Sequence, residues 1–99
     1  MKTLDKTHIK QLKALAHKLK PIVTVGQHGM KDSINDEIAI ALDFHQLVKV
    51  KINLGDRIER DALVDELSKQ HDAQMVQRIG NVAVFYKRNF DKENLLKKY

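Results

Sequence analysis

The chain has 99 residues, near the usual size of one domain, which leaves no room for a second catalytic lobe. Its 42% hydrophobic and 31% charged residues, single Pro and four Gly describe a globular chain without low-complexity tracts, and zero Cys removes disulfides, thiolate nucleophiles and cysteine-based metal sites. The net charge of +5 is unevenly spread: residues 1–31 carry seven Lys against one Asp, residues 32–72 five Lys and Arg against ten acids, and residues 73–99 six against two. Basic ends therefore flank an acidic middle, and they attract a polyanion if both reach one side of the fold.

Thr3 or Asp5 caps a first helix that Pro21 must end. At 100° per residue Ile9, Leu12, Leu15, Ala16 and Leu19 form its buried stripe, and Lys6, Lys10, Lys13, His17 and Lys20 form a cationic arc beside it. Ile22–Val25 is β-branched and reads as a short strand, stopped by Gly26-Gln27-His28-Gly29. Ile34, Ile38, Ala41, Leu42 and His45 repeat with helical spacing behind an N-terminus at Asp32 or Ser33. From Leu47 to Leu54, Val48, Val50 and Ile52 alternate with Lys49, Lys51 and Asn53, a half-buried strand with a basic outer face. Gly55-Asp56 turns into a third helix that carries Ile58, Ala62, Leu63 and Leu67 inward. Met75–Ile79 and Val82–Arg88 flank the hairpin signal Gly80-Asn81, and Val82–Tyr86 is apolar enough for a central strand. The tail from Asn89 is polar and reads as frayed, with Leu95 and Leu96 in at most a last helical turn. The order α-β-α-β-α-β-β predicts an α/β two-layer sandwich of one mixed sheet and three helices, as a single unit over residues 1–99.

Chemistry is poorly provided for. The five His residues have no i, i+3 or i, i+4 pair, and no nucleophile elbow, phosphate-binding loop or dinucleotide fingerprint is present, so no metal, no cofactor and no catalytic residue is expected. Asp61 and Asp65 read as a solvated helix face, and His45 as a satisfied boundary residue. The longest apolar runs have five residues, against the ~20 of a membrane helix. Residues 1–20 carry Lys where a signal peptide would be apolar, so the expected compartment is the cytoplasm.

The segment Val25–Lys31 is the sharpest feature. Two glycines bracketing two residues let bare main chain approach a ligand, and the following helix offers unpaired N–H groups and the positive end of its dipole, an environment suited to phosphate. The G-x-x-G clamp of KH domains works in this way on single-stranded nucleic acid. Phe44, Phe85, Tyr86, Phe90 and Tyr99 form no closely spaced stacking pair, and Phe44 and Phe85 read as core, so backbone contacts are expected to lead over base stacking.

The runs Leu12–Pro21, Ile22–Gly29 and Leu47–Lys51, with Asp56-Arg57 and the hairpin Val76–Asn81, resemble the CRM domain, the module of chloroplast RNA splicing and ribosome maturation proteins, in its bacterial stand-alone YhbY type. The resemblance implies a four-stranded sheet with three helices, akin to the C-terminal domain of translation initiation factor three. It also implies RNA binding through the G-x-x-G loop and association with precursors of the large ribosomal subunit. Carried over by position, the loop is Gly26, Gln27, His28 and Gly29, with Lys20, Lys31 and Arg57 beside it; Lys10, Lys13, Lys49, Lys51, Arg78 and Arg88 complete the expected field. The chain departs from the family pattern at Gln46, where Glu is common, and at Lys13-Ala14. The resulting expectation is a monomer that binds ribosomal RNA, touches no membrane and performs no chemistry. The rival is a protein–protein module with charge-complementary partners.

Overall fold

Asp5 opens the first helix: its backbone is extended and its carboxylate accepts from the His8 amide at 2.8 Å. Thr3, the alternative cap, lies outside the residues that the computed structural model describes, 4–27 and 29–96. Helix α1 runs Lys6–His17 and closes with amide bonds from Lys18 and Leu19 to the last-turn carbonyls, before Pro21 can oppose it. Strand β1 (Val23–Val25), helix α2 (Asp32–His45), strand β2 (Leu47–Ile52), helix α3 (Arg57–Gln70) and strands β3 (Gln74–Ile79) and β4 (Val82–Tyr86) follow. Asp56 caps α3 through the Glu59 amide at 2.9 Å.

The strands form one mixed sheet in the order β1-β2-β4-β3, with β1 and β2 parallel and the other pairs antiparallel. The three helices, the four strands and the central place of β4 are as the sequence predicts. Gly80 alone of the hairpin residues has positive φ, 57°, as a type II′ turn requires. Alternation then divides the core. Val48, Val50, Ile52 and Phe85 pack with Ile38, Leu42, Leu63, Val64 and Leu67 of α2 and α3. On the opposite face Leu47, Val84 and Tyr86 pack with Leu12 and Ala16 of α1. The α2/α3 layer on the sheet is the expected sandwich, and α1 adds cover on the second face.

Several inward positions are corrected. Leu12 and Ala16 alone carry α1's fully buried contact; Leu15 and Leu19 are 40% and 39% exposed, since Leu19 has left the helix and no longer follows its 100° step. Phe44 is 63% exposed, because two steps beyond Leu42 rotate it about 200° away from the sheet, and His45 is exposed too. In α3 Val64 takes the place given to Ile58 and Ala62, both of which face solvent.

The tail is not frayed over residues 89–96. Leu96 is buried and Leu95 packs beside it against α1 and the sheet. Asn89 holds the Asp43 carbonyl through its side-chain amide at 2.8 Å. Residues 97–99, Tyr99 included, lie outside the described residues.

Candidate nucleic-acid interface

Parallel pairing fixes where the loops meet. Val25 and Ile52 are register partners, so β1 and β2 end at the same edge of the sheet; β3 ends there at Ile79 and β4 begins there at Val82. The glycine loop, the β2–α3 loop, the hairpin and the first turns of α2 and α3 are gathered at that edge. Hydrogen bonds tie them together: Asn53 N–H to the Val25 carbonyl at 2.8 Å, Ile52 N–H to the Asn81 carbonyl at 2.6 Å, and Asn81 Nδ2 to Asn53 Oδ1 at 2.7 Å.

Gly26–Gly29 is a tight turn, with the Gly29 amide donating to the Gly26 carbonyl at 3.0 Å. Gly29 sits at φ 76°, where a side chain is strained, whereas a Cβ on Gly26 would meet nothing within 4 Å. Gln27 is exposed, and His28 lies outside the described residues. Helix α2 has Lys31 at its N-cap with no side-chain cap bond, unlike α1 and α3. Neither Asp32 nor Ser33 is the cap; Asp32 is the first helical residue and the one acid of the first turn. Ile34 and Asn35 both donate to the Lys31 carbonyl, at 3.0 and 3.1 Å, which leaves the Asp32 and Ser33 amides without a partner among the described residues and open to an incoming anion.

Beside the turn runs a groove lined by Gly26, Gln27, Asn53, Gly55, Arg60 and Asn81. Arg60 donates Nη1 to the Gly55 carbonyl at 2.7 Å, while its buried Nε has no partner among the described residues. Sequence reasoning chose Arg57, which is exposed at the start of α3, and missed Arg60, one helical turn further on. Helical spacing was the available signal, since a residue three beyond the first lies on the neighbouring flank.

The expected cations divide. Lys49 and Lys51 project from β2 on the face that α1 only partly covers, and Lys49 Nζ donates to the Leu19 carbonyl at 3.0 Å. Lys13 and His17 stand over the same stretch of sheet, with Pro21 beside them. Lys10 lies on α1 one turn before Lys13, Lys20 lies in the exposed connector to β1, and Lys31 lies at the tip of α2. Two residues leave the group. Arg78 turns to the other face of the sheet, ion-paired with Asp61 and donating Nε to the Gly80 carbonyl at 3.2 Å. Arg88 follows β4 at the far edge, where Gln46 Oε1 and the Lys92 carbonyl take its Nη1 at 2.8 and 3.0 Å. The basic surface thus comes from α1, the connector, β2 and the loop rather than from both chain ends.

The acids singled out on α3 each pair with a cation. Asp61 is held by Arg78, and Asp65 pairs with Lys69 at 3.0 Å. Among the described residues no three His, Asp or Glu converge as a metal site, and no helix is long and apolar enough to cross a membrane.

Residues 4–87 match the CRS1/YhbY (CRM) domain. The chain belongs to the CRM domain family. Its relatives include a probable RNA-binding protein of Pseudomonas aeruginosa, 41% identical over 80 residues that make up 81% of this chain and 77% of the relative. An RNA-binding protein of Haemophilus influenzae is 36% identical over 88% of both chains, and a probable RNA-binding protein of Bacillus subtilis, YqeI, is 37% identical over 84% of both. The solution structure of a hypothetical protein from Staphylococcus aureus superposes with a TM-score of 0.78 at 28% identity, covering 93% of this chain and 94% of that one.

Proposed function

We propose that this CRM domain binds RNA through the Gly26–Gly29 turn and the cations around it, and that its target is ribosomal RNA in precursors of the large subunit. In this reading it acts as a cytoplasmic monomer and has no reaction of its own. One observation carries it: an open main-chain turn lies at the uncapped tip of α2, with Lys31 at that tip and Lys51 and Arg60 on the adjoining strand and helix. A phosphate there meets the Asp32 and Ser33 amides and the positive end of the helix dipole. Lys10, Lys13, Lys20 and Lys49 extend the positive field over the α1 face, where backbone contacts position the strand. The names of the relatives support RNA as the ligand class.

The test is a salt titration with single-stranded RNA. Contact with ~4–6 phosphates gives a slope of log K against log salt of roughly −3 to −4. A flat response points to a protein partner instead. Crosslinking in cells, followed by sequencing of the attached RNA, then checks for large-subunit precursors.

A further inference from the structure

The sheet face that α1 shares is only half covered. Three rungs cross it: Leu47, Tyr86 and Gln74; then Lys49, Val84 and Gln77; then Lys51, Val82 and Ile79, with Thr24 at the edge. Helix α1 starts over the first, where the Leu4 amide meets Gln74 Oε1, and ends over the second. The third lies beyond the helix: Ile79 is 65% exposed, and Lys51 and Val82 are half-buried.

Between the end of α1 and these strands lies a groove of about 300 Å³, at the small end of ligand clefts, which span roughly 300–1,000 Å³. Val82, Val84, Ile79 and Pro21 give it apolar walls, Lys13 and Lys49 give it charge, and among the described residues no carboxylate lines it. Gln77 reaches it because of a β-bulge. The register passes from Met75↔Phe85 to Gln77↔Val84, so Gln77 shares the α1 face with Val76 instead of following Met75 to the other side. Its side-chain amide makes no hydrogen bond with any described residue.

We infer that this bare half-face is a base-reading subsite, in which one unpaired base of the bound RNA lies flat on Val82 and Ile79 with its edge against Gln77. Lys13, Lys49 and Lys51 hold the adjoining phosphates, and Lys51 links the subsite to the loop edge. A planar apolar floor suits any base face, so discrimination falls to the amide, whose donor and acceptor match adenine N6 and N7 best. The charge selects a polyanion, and continuity with the loop edge selects the same RNA. The subsite rests on the RNA-binding reading and goes beyond it, because it assigns base preference to the sheet face rather than to the glycine turn.

The test compares ten-nucleotide homopolymers of A, C and U at fixed salt, with the full chain and its Gln77→Leu and Ile79→Ser variants; both positions are outside the core clusters. Wild-type protein is expected to prefer the A oligomer. Gln77→Leu should weaken that oligomer roughly tenfold and level the three affinities, and Ile79→Ser should weaken all three together. Addition of the A oligomer should shift the Gln77 side-chain amide and the Val82 methyl resonances. Wild-type binding with no base preference, or with affinities unmoved by Gln77→Leu, overturns the subsite and leaves RNA binding standing. No binding of any oligomer by wild-type protein overturns both.

Discussion

Gln46 Oε1 accepts from the Arg88 guanidinium at 2.8 Å, at the edge of the sheet opposite the glycine turn. The same oxygen accepts the Asn89 amide at 2.9 Å, and Gln46 Nε2 donates to the Glu93 carbonyl at 2.8 Å. Gln46 is buried and ends α2 at φ 63°, so one residue closes a helix with its backbone amide, which donates to the Leu42 carbonyl, and anchors the tail with its side chain. The neutral amide uses both its donor and its acceptor.

Arg88→Met should therefore act on stability. Loss of the guanidinium bonds to Gln46 and the tail carbonyls should cost about 1–3 kcal/mol, read by denaturant unfolding. RNA affinity and its salt slope should stay at the wild-type values. A reduced slope would return Arg88 to the interface.

The two glycines of the turn should separate. From sequence, aspartate at both is expected to remove binding without touching the fold; the φ of 76° at Gly29 changes that expectation for one of them. Gly29→Ala should lower stability by about 1 kcal/mol through strain. A Cβ added at Gly26 would meet no atom within 4 Å and Gly26 has no positive φ, so Gly26→Asp should keep the melting temperature while cutting RNA affinity at least tenfold by placing a carboxylate against the phosphate.

Single charge removals sort the cations. Lys13→Gln, Lys51→Gln and Arg60→Gln should each make the salt slope shallower by about 0.7, one phosphate contact apiece. Arg78→Gln should leave the slope alone, since Asp61 already holds that guanidinium on the other face.

His71, at the end of α3, supplies a pH dependence. Burial, and then the Lys87 ammonium, hold its pKa below the ordinary 6.5, and Asn35 Oδ1 lies 3.1 Å from its Nε2. The unfolded chain therefore takes up the proton first as pH falls. The stability tied to neutral His71 is present in full above about pH 6.5 and is lost as pH drops toward the lower folded value. His71→Gln should flatten the melting-temperature profile between pH 7.5 and 5.5 relative to wild type.

Elements and core partners were legible where periodicity is local. The alternation of Val48, Val50 and Ile52, the glycine at the hairpin and the strand–glycine–helix order all reappear in the fold. Two kinds of feature were not legible. The tail's order depends on Gln46, more than 40 positions away, and polar tail residues give no local sign of that partnership. The faces of Arg78 and Gln77 depend on a bulge, and a single inserted residue reverses a period-two count without marking the composition. Within the candidate interface the glycine turn and the cations of α1 and β2 were readable, while Arg60 emerged only once the α3 flank was placed.

Helix α1 runs along the strands toward the loop edge and stops at His17. One more turn, about 5.4 Å, would bring its backbone over Val82 and Ile79. The short stretch from His17 to Pro21 thus sets an aperture: chains that lengthen the helix within it close the sheet's window, and chains that shorten it widen the opening.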